Sequence, residues 1–357
     1  MNMKKIIILI ILLVPFKILA ISASSSIVMD LDSGRILHAN NIDEQRLIAS
    51  TTKIMTCIIA IENGNINDQI IVGEEVLKAY GSAIYIEVGE ILTLKDLLMG
   101  LMLRSGNDAA LVIAKYIAGS NENFAMLMNE YAKKIGMNNS YFYNPHGLEE
   151  NSGLGNTSTA KDMALLTRYA MNNKQFREIF KTKKYVVKTN YKTYNWINKN
   201  KLLHNYDFIT GGKTGYTKKA HRTLVTTASQ NNINLVIVTL NDGNDFQDHL
   251  SLYKDIFKKY EAIKVLNKNI NIRNDTLYKD YDLYIDKDVY IPVLPNEKSN
   301  IRLEYKLYNN IKIVNGDSIG YVNIYINNKL IKAEKIYITI PNKSKTWWQK
   351  LFGWLKW

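Results

Sequence analysis

The sequence predicts an α+β fold: one antiparallel sheet drawn from two distant stretches of chain, a helical insertion between them, and a small all-β unit behind. Three observations predict it. Strand-like runs Ser26–Met29 and Arg35–His38 flank Asp32-Ser33-Gly34 near the start, and Arg222–Ser229 and Asn234–Leu240 flank Gln230-Asn231-Asn232 much later. Between them, from Ser50 to about Arg177, apolar residues recur mostly at helical spacing. Parallel βαβ units would alternate strand and helix throughout, so a sheet holding a helical insertion is the expected arrangement.

In chain order, the first segment reads as a secretory signal peptide over 1–22. Lys4 and Lys5 give a positive start, Ile6–Val14 an apolar stretch too short to span a bilayer, and Ala20–Ser26 mostly small residues. Cleavage after Ala20, Ser22 or Ala23 fits. The lone cysteine, Cys57, excludes an intrachain disulfide and sits among Ile54, Ile58 and Ile61 as a core filler. Leu94, Leu97, Leu98, Leu101 and Met102 mark a buried helix, and Ala109–Ile117 and Met163–Met171 continue the pattern. Strand signals return after position 205, and Leu250, Tyr253, Phe257 and Tyr260 mark one face of a closing helix. The first unit is expected over 23–262. Short runs Tyr281–Ile285, Val289–Val293, Ile301–Tyr308 and Tyr321–Ile326, separated by Asn, Asp, Gly and Pro, predict a small all-β unit over 263–341. Over 342–357, Trp347, Trp348, Leu351, Phe352, Trp354 and Leu355 fill one helical face opposite Gln349, Lys350, Gly353 and Lys356. That pattern predicts an amphipathic helix lying in a membrane interface, with docking onto the protein's own core as the alternative.

The net charge of +13 favours an anionic surface or polymer as partner, although several lysines belong to the two terminal segments and the Lys, Asn, Ile and Tyr richness also fits a coding bias. No basic stripe interleaved with aromatics supports nucleic-acid binding. The five histidines form no i, i+4 pair, so neither a metal nor a cofactor is expected.

Chemistry is concentrated in three short strings: Ser50-Thr51-Thr52-Lys53, Ser105-Gly106-Asn107 and Lys213-Thr214-Gly215. Ser50 falls where a loop meets a helix, and Lys53, three residues on, projects from the same face within reach of its hydroxyl. Alone, the pair reads as a helix cap with an ordinary lysine. A lysine can activate a serine only when neutral; burial and a second cation, here Lys213, both push it there. Ser105 can relay a proton and Asn107 can orient the lysine. Lys213 with Thr214 can bind a substrate carboxylate, and Gly215 can let a substrate backbone lie close. Gly212-Lys213-Thr214 also imitates the end of a phosphate loop, but the required earlier glycine is replaced by Asp207 and no helical pattern follows.

With these strings, and with Ala49–Thr56, Gly100–Ala110, Asn144–Leu148, Thr157–Tyr169 and Gly211–Thr217 around them, the chain resembles the D-alanyl-D-alanine carboxypeptidases of serine peptidase family S11, low-molecular-mass penicillin-binding proteins. The resemblance spans most of Ser26 to Tyr260, and the β-rich segment and tail match the second domain and anchor of such enzymes. It implies a penicillin-binding/β-lactamase-like fold and an exported enzyme on the outer face of the cytoplasmic membrane. Ser50 would be the acylated nucleophile and Lys53 the base, with Ser105 and Asn107 assisting; Lys213 and Thr214 would bind the terminal carboxylate. Backbone N–H groups of Ser50 and Tyr216 would form the oxyanion hole. Implied partners are peptidoglycan stem peptides ending in D-Ala-D-Ala, β-lactams as inhibitors, and the membrane surface through Trp347–Trp357. His221 departs from the family, which usually has glycine after the equivalent of Ala220. Rival readings are a β-lactamase, with Glu149 or Glu150 as a deacylating group by location alone, an endopeptidase or transpeptidase, and a catalytically idle wall scaffold.

Overall fold

The structure, a computed structural model, describes residues 21–150, 153–268, 278–279, 281–309 and 312–340. The expected signal peptide up to residue 20 and the expected tail helix over 342–357 lie outside the described residues.

The chain opens with strand β1 (Ser25–Asp30), every residue of it buried, which turns through Asp32-Ser33-Gly34 into β2 (Ile36–Asn40). The Asp30 carboxylate accepts from the Ser33 amide at 2.8 Å, and Gly34 supplies the positive φ of 77° that the turn needs. After the short strand β3 (Arg46–Leu47) and a 3-10 turn (Ala49–Thr52) comes helix α1 (Lys53–Asn63), in which Lys53 through Ile61 are all buried. A helix apolar on every side belongs at the centre of a domain, and α1 is the axis around which the helical insertion packs.

Strands β4 (Gln69–Ile71) and β5 (Ile91–Thr93) pair and lead to α2 (Leu94–Met99), capped reciprocally by Thr93 and Asp96. A π-helical turn, Gly100–Arg104, then ends α2 and delivers Ser105 in the left-handed region. Helices α3 (Asn107–Ala118) and α4 (Asn121–Ile135), strand β6 (Thr157–Ser158, paired with β3), α5 (Ala160–Met171) and α6 (Lys174–Phe180) complete the insertion. Strand signals do not wait for position 205. A hairpin of β7 (Lys184–Lys188) and β8 (Thr193–Ile197) precedes α7 (Lys201–Asn205), and Tyr194 and Trp196 anchor it into the core.

The sheet is then finished by β9 (Ile209–Thr217), β10 (His221–Gln230) and β11 (Ile233–Asp242). Its order is β2-β1-β11-β10-β9, antiparallel throughout, with Ser25 opposite Leu240. Asn231 and Asn232, both at positive φ, make the tight β10–β11 turn. One face packs on the helical insertion; the other is covered by α8 (Asp245–Lys259), whose Leu250, Leu252, Tyr253 and Ile256 are buried. Tyr260, expected on that helix, instead follows its end in extended backbone.

The remaining chain forms two small sheets. One pairs β12 (Glu261–Leu266) with β14 (Val289–Val293). The other has the order β13-β17-β16-β15, where β13 is Asp282–Tyr284, β15 Ile301–Leu307, β16 Ser318–Ile326 and β17 Lys329–Thr339. They enclose their own core of Leu283, Ile285, Ile291, Val322, Ile324, Ile336 and Ile338. Arg35 of the β1–β2 turn bridges the two units, donating to the Pro292 carbonyl and the Glu297 carboxylate.

Candidate active site

The turn that carries Ser50 is shaped from below. Ala49 sits at φ 46°, an unusual value for alanine, and Gly147 packs directly beneath it at φ 88°. A Cβ on Gly147 would lie 2.0 Å from the Ala49 carbonyl oxygen, so only glycine fits. Asn144 and Asn156 build the loop that carries Gly147: Asn144 Oδ1 accepts from the Gly147 amide at 2.7 Å, and Asn156 Nδ2 donates to Thr52 Oγ1 at 3.0 Å.

Lys53 is wholly buried, and its Nζ has three neighbours: Asn107 Oδ1 at 2.7 Å, the His146 carbonyl at 2.7 Å and Ser50 Oγ at 3.1 Å. A neutral amine has two N–H donors and one lone pair. Two of these neighbours can only accept, which consumes both donors and leaves the lone pair facing the serine hydroxyl. Burial first, then the charges of Lys213 and Lys199, hold Lys53 well below its ordinary pKa of 10.5, against the opposing charge of Asp108. Burial and the neighbouring cations thus favour the neutral amine.

Asn107 is oriented from its far side: its Nδ2 donates to the Tyr80 carbonyl at 2.6 Å and its backbone N–H to the Ser82 carbonyl at 2.8 Å. Asp108, next along α3, accepts from the amides of Ile84 at 3.0 Å and Tyr85 at 2.7 Å, fastening the same loop. The π-helical turn places Ser105 at φ 67°, where its Oγ accepts from Lys213 Nζ at 3.1 Å. Lys213 is also buried; burial and then Lys199 push it down to about 7.

Lys213 and Gly215 lie on the face of β9 turned toward the insertion, and β9 is an edge strand of the sheet. Gly215 has a different neighbour from the one the sequence suggests. A Cβ there would meet Thr223 Oγ1 at 2.3 Å and the Ser50 backbone nitrogen at 3.0 Å, so the missing side chain lets β9 press against the turn that carries Ser50. Thr214 is half-buried, and Tyr216 is exposed at the mouth. His221 adopts φ 56°, the left-handed conformation that glycine would have supplied, so the far end of β9 turns as it would with glycine.

The structure brings Ser50, Lys53 and Asn107 together, seats Ser105 on Lys213, and sets Gly215 against Ser50, while Thr214 and Tyr216 show no side-chain contact with them. The backbone carbonyl of His146, the loop-fastening Asp108 and Glu149, whose carboxylate accepts from Thr217 Oγ1, join them without having been given these roles in advance. The His146 ring is pushed down to about 3 by burial and then by Lys53, and stays neutral. Among the described residues no three His, Cys, Asp or Glu side chains gather as a metal site. A cavity of about 630 Å³ lies far from this chemistry, between the two units and lined by Asp32, Arg168, Lys332 and Glu334.

Residues 14–244 match the D-alanyl-D-alanine carboxypeptidase family, peptidase family S11, and residues 260–343 match the C-terminal domain of penicillin-binding protein 5. The chain belongs to the S11 family. As an S11 enzyme it is a serine hydrolase of the D-Ala-D-Ala carboxypeptidase type. It is 29% identical over 318 residues to the D-alanyl-D-alanine carboxypeptidase DacF of Bacillus subtilis (strain 168), covering 85% of this chain and 81% of that protein. With DacA of Escherichia coli (strain K12) it shares 27% identity over 364 residues, covering 94% and 87%. Penicillin binding protein 5 from Haemophilus influenzae superposes with a TM-score of 0.74 at 26% identity, over 90% of this chain and 97% of that one. The Streptomyces K15 DD-transpeptidase superposes with a TM-score of 0.62 at 28% identity, over 66% and 97%.

Proposed function

We propose that this S11 enzyme trims the terminal D-alanine from stem peptides of peptidoglycan through an acyl-enzyme on Ser50. Neutral Lys53 takes the Ser50 proton as Oγ attacks the carbonyl of the penultimate D-alanine. The oxyanion lies between the backbone N–H groups of Ser50 and Tyr216. Lys53 returns the proton to the leaving amine, with Ser105 and Asn107 as relay and positioning groups, and D-alanine departs. Water, deprotonated by Lys53, then attacks the ester and restores Ser50. Protonated Lys213 and the Thr214 hydroxyl hold the substrate's terminal carboxylate, as they would a β-lactam's. The observation that carries this reading is the pair of 2.7 Å acceptors on Lys53, which leaves its lone pair on Ser50.

The test combines mass spectrometry of the penicillin adduct with a D-alanine release assay. Labelling and release are both expected, and both should vanish in Ser50→Ala; labelling that persisted in that variant would remove Ser50 as nucleophile. Against the β-lactamase alternative, Glu149 bonds Thr217 rather than Ser50 or Lys53.

The reading extends to an exported protein divided at about residue 262, with 23–262 catalytic and 263–341 as a spacer unit, held on the outer face of the cytoplasmic membrane by 342–357. Among the described residues no helix is long and apolar enough to cross a membrane. The tail's Trp and Lys pattern supports interfacial binding. Deleting Thr346–Trp357 is expected to release folded, active enzyme from membranes on fractionation; a truncated form that stayed bound would end the anchor assignment.

A further inference from the structure

Three acids meet the first described residues of the chain on the far side of the sheet from Ser50. Asp242 closes β11, Asp245 and Asp248 stand in the first turn of α8, and all three are buried. The positive end of α8 accounts for Asp245 and Asp248, but Asp242 precedes the helix. Ser22 is inserted among them. Its amide donates to Asp248 Oδ2 at 2.6 Å, and its hydroxyl lies 2.6 Å from Asp242 Oδ1 and 2.8 Å from Asp248 Oδ2. One hydroxyl has one proton, so it serves one of these carboxylates and not both. The Asn244 amide adds a bond to Asp242 Oδ1 at 2.9 Å, yet Asp242 Oδ2 is buried and has no partner among the described residues. Arg222 stays 4.0 Å from Asp245, and among the described residues Asp242 and Asp248 form no ion pair. His249, next along α8, is buried between Thr226 and Thr239 and stays neutral. Burial pushes Asp245 and Asp248 up, and the charge of Asp242 adds to both rises.

A buried acceptor without a donor and a buried charge without a partner are both costly, so this cluster is short of one cation. The nearest source is the chain itself. Ile21 is half-buried and packs against the core beneath α8, which holds its backbone at the cluster. Its nitrogen is one residue from the Ser22 amide, at most about 3.6 Å of chain, and so within roughly 6 Å of Asp248 Oδ2. In the precursor that nitrogen is an uncharged amide. Water added across the Ala20–Ile21 bond leaves a carboxylate on the departing Ala20 and an ammonium with three donors on Ile21. We propose that Asp242 and Asp248 form a site for the α-ammonium that removal of the signal peptide creates at Ile21, so that processing itself completes the catalytic unit. This rests on the export reading and gives its cut a structural consequence. Asp242 faces Arg222 across the sheet and Arg222 faces Tyr216, so the clasp ties the first residues of the chain to the end of the sheet that carries Tyr216.

The experiment takes the purified exported protein, reads its first residue by N-terminal sequencing, and compares it with the same chain carrying Gly-Ala before Ile21. The extension keeps a free ammonium but moves it off the cluster, and should lower the melting temperature by about 3–6 °C. Asp242→Asn should bring that difference to within about 1 °C. A second readout needs no variant: acetic anhydride at pH 7 should modify the Ile21 amine at least about tenfold more slowly in the folded enzyme than in urea, as a pKa raised by one unit requires. Equal melting of the two proteins, or an amine that reacts equally fast folded and unfolded, overturns the assignment. A melting temperature that falls when a chelator is added gives the carboxylates to a metal ion and overturns it as well. An exported protein that does not begin at Ile21 overturns the processing reading itself, and this proposal with it.

Discussion

Replacing Gly215 by alanine probes how closely the substrate strand and the nucleophile's turn are fitted together. The new methyl would stand 2.3 Å from Thr223 Oγ1, where ordinary contact begins near 3.4 Å, a shortfall of about 1 Å. Thr223 cannot simply rotate away. It is buried, β-branched, and its hydroxyl donates to the Ile48 carbonyl at 3.1 Å, the same oxygen that receives the Thr51 hydroxyl at 2.6 Å. The Ser50 and Thr51 backbone nitrogens, at 3.0 and 3.1 Å from the methyl, are equally fixed. Relief must therefore come from β9 moving off the turn, which separates the two N–H groups assigned to the oxyanion. Losing one such donor costs about 10²- to 10³-fold in rate, or about 3–4 kcal/mol of transition-state stabilisation. The overpacking itself costs about 1–3 kcal/mol of stability. The assay is the second-order rate of acylation by a fluorescent penicillin, with thermal melting in parallel. Gly119→Ala is the control: its Cβ meets nothing within 4 Å, but its φ of 78° makes alanine strained, so stability should fall while acylation stays unchanged. A folded Gly215→Ala enzyme acylating within about threefold of the parent rate would refute the oxyanion argument.

Other outcomes follow from the same geometry. Because Lys53 must be neutral and Lys213 charged, kcat/KM should rise through the lowered pKa of Lys53 and fall above about 7 as Lys213 deprotonates. Lys213→Arg keeps its charge and should erase the falling limb; a profile climbing steadily to pH 10 in the parent enzyme would contradict both roles. Lys53→Arg, which cannot lose its proton, should lower acylation by about 10²- to 10⁴-fold, measured with the same penicillin. His249, buried between Thr226 and Thr239, is pushed down to about 3, so the unfolded chain binds the extra proton below pH 6.5. Its contribution is fully present above pH 6.5 and is lost toward pH 3, at up to about 1.4 kcal/mol per unit. The stability gap between the parent and His249→Gln in urea titrations should accordingly narrow on acidification, and a constant gap would exclude the linkage. Finally, Ser22 is tied to the fold: its amide donates to Asp248 at 2.6 Å and its hydroxyl to Asp242 at 2.6 Å. Export processing should therefore fall after Ala20, two residues ahead of the boundary at 22 read from the sequence, and N-terminal sequencing of the exported protein should begin at Ile21; a start at Ala23 or Ser24 would count against it.

The elements that read correctly from sequence are those whose turns require particular residues. Gly34, Asn231 and Asn232 all sit at positive φ, so their hairpins were visible as composition. The β7–β8 hairpin was missed although Tyr185, Val187, Tyr194 and Trp196 alternate, because Lys, Asn and Thr between them mask a short half-exposed ribbon. In the site, side chains from three strings were legible because each needs its own residue type. The His146 carbonyl was not, since a backbone acceptor leaves no mark beyond the glycine that follows it. Asp108 carries no mark in the sequence, since its service to the 84–86 amides is a tertiary contact. Glu149 meets Thr217 across 68 residues, a distance only the fold can close.

The pairing of Ser25 with Leu240 also sets when this enzyme can exist. A chain is synthesised from its N-terminus, so β1 arrives first and one edge of it must wait for β11, some two hundred residues behind. Ser50 and Lys53 emerge early, but the strand that carries Lys213 and closes the cleft comes only after the whole helical insertion. A partly synthesised chain therefore holds Ser50 and Lys53 without the strand that packs against them. The three strings therefore come together only when the sheet is completed, and hydrolysis has to wait for the last of its strands.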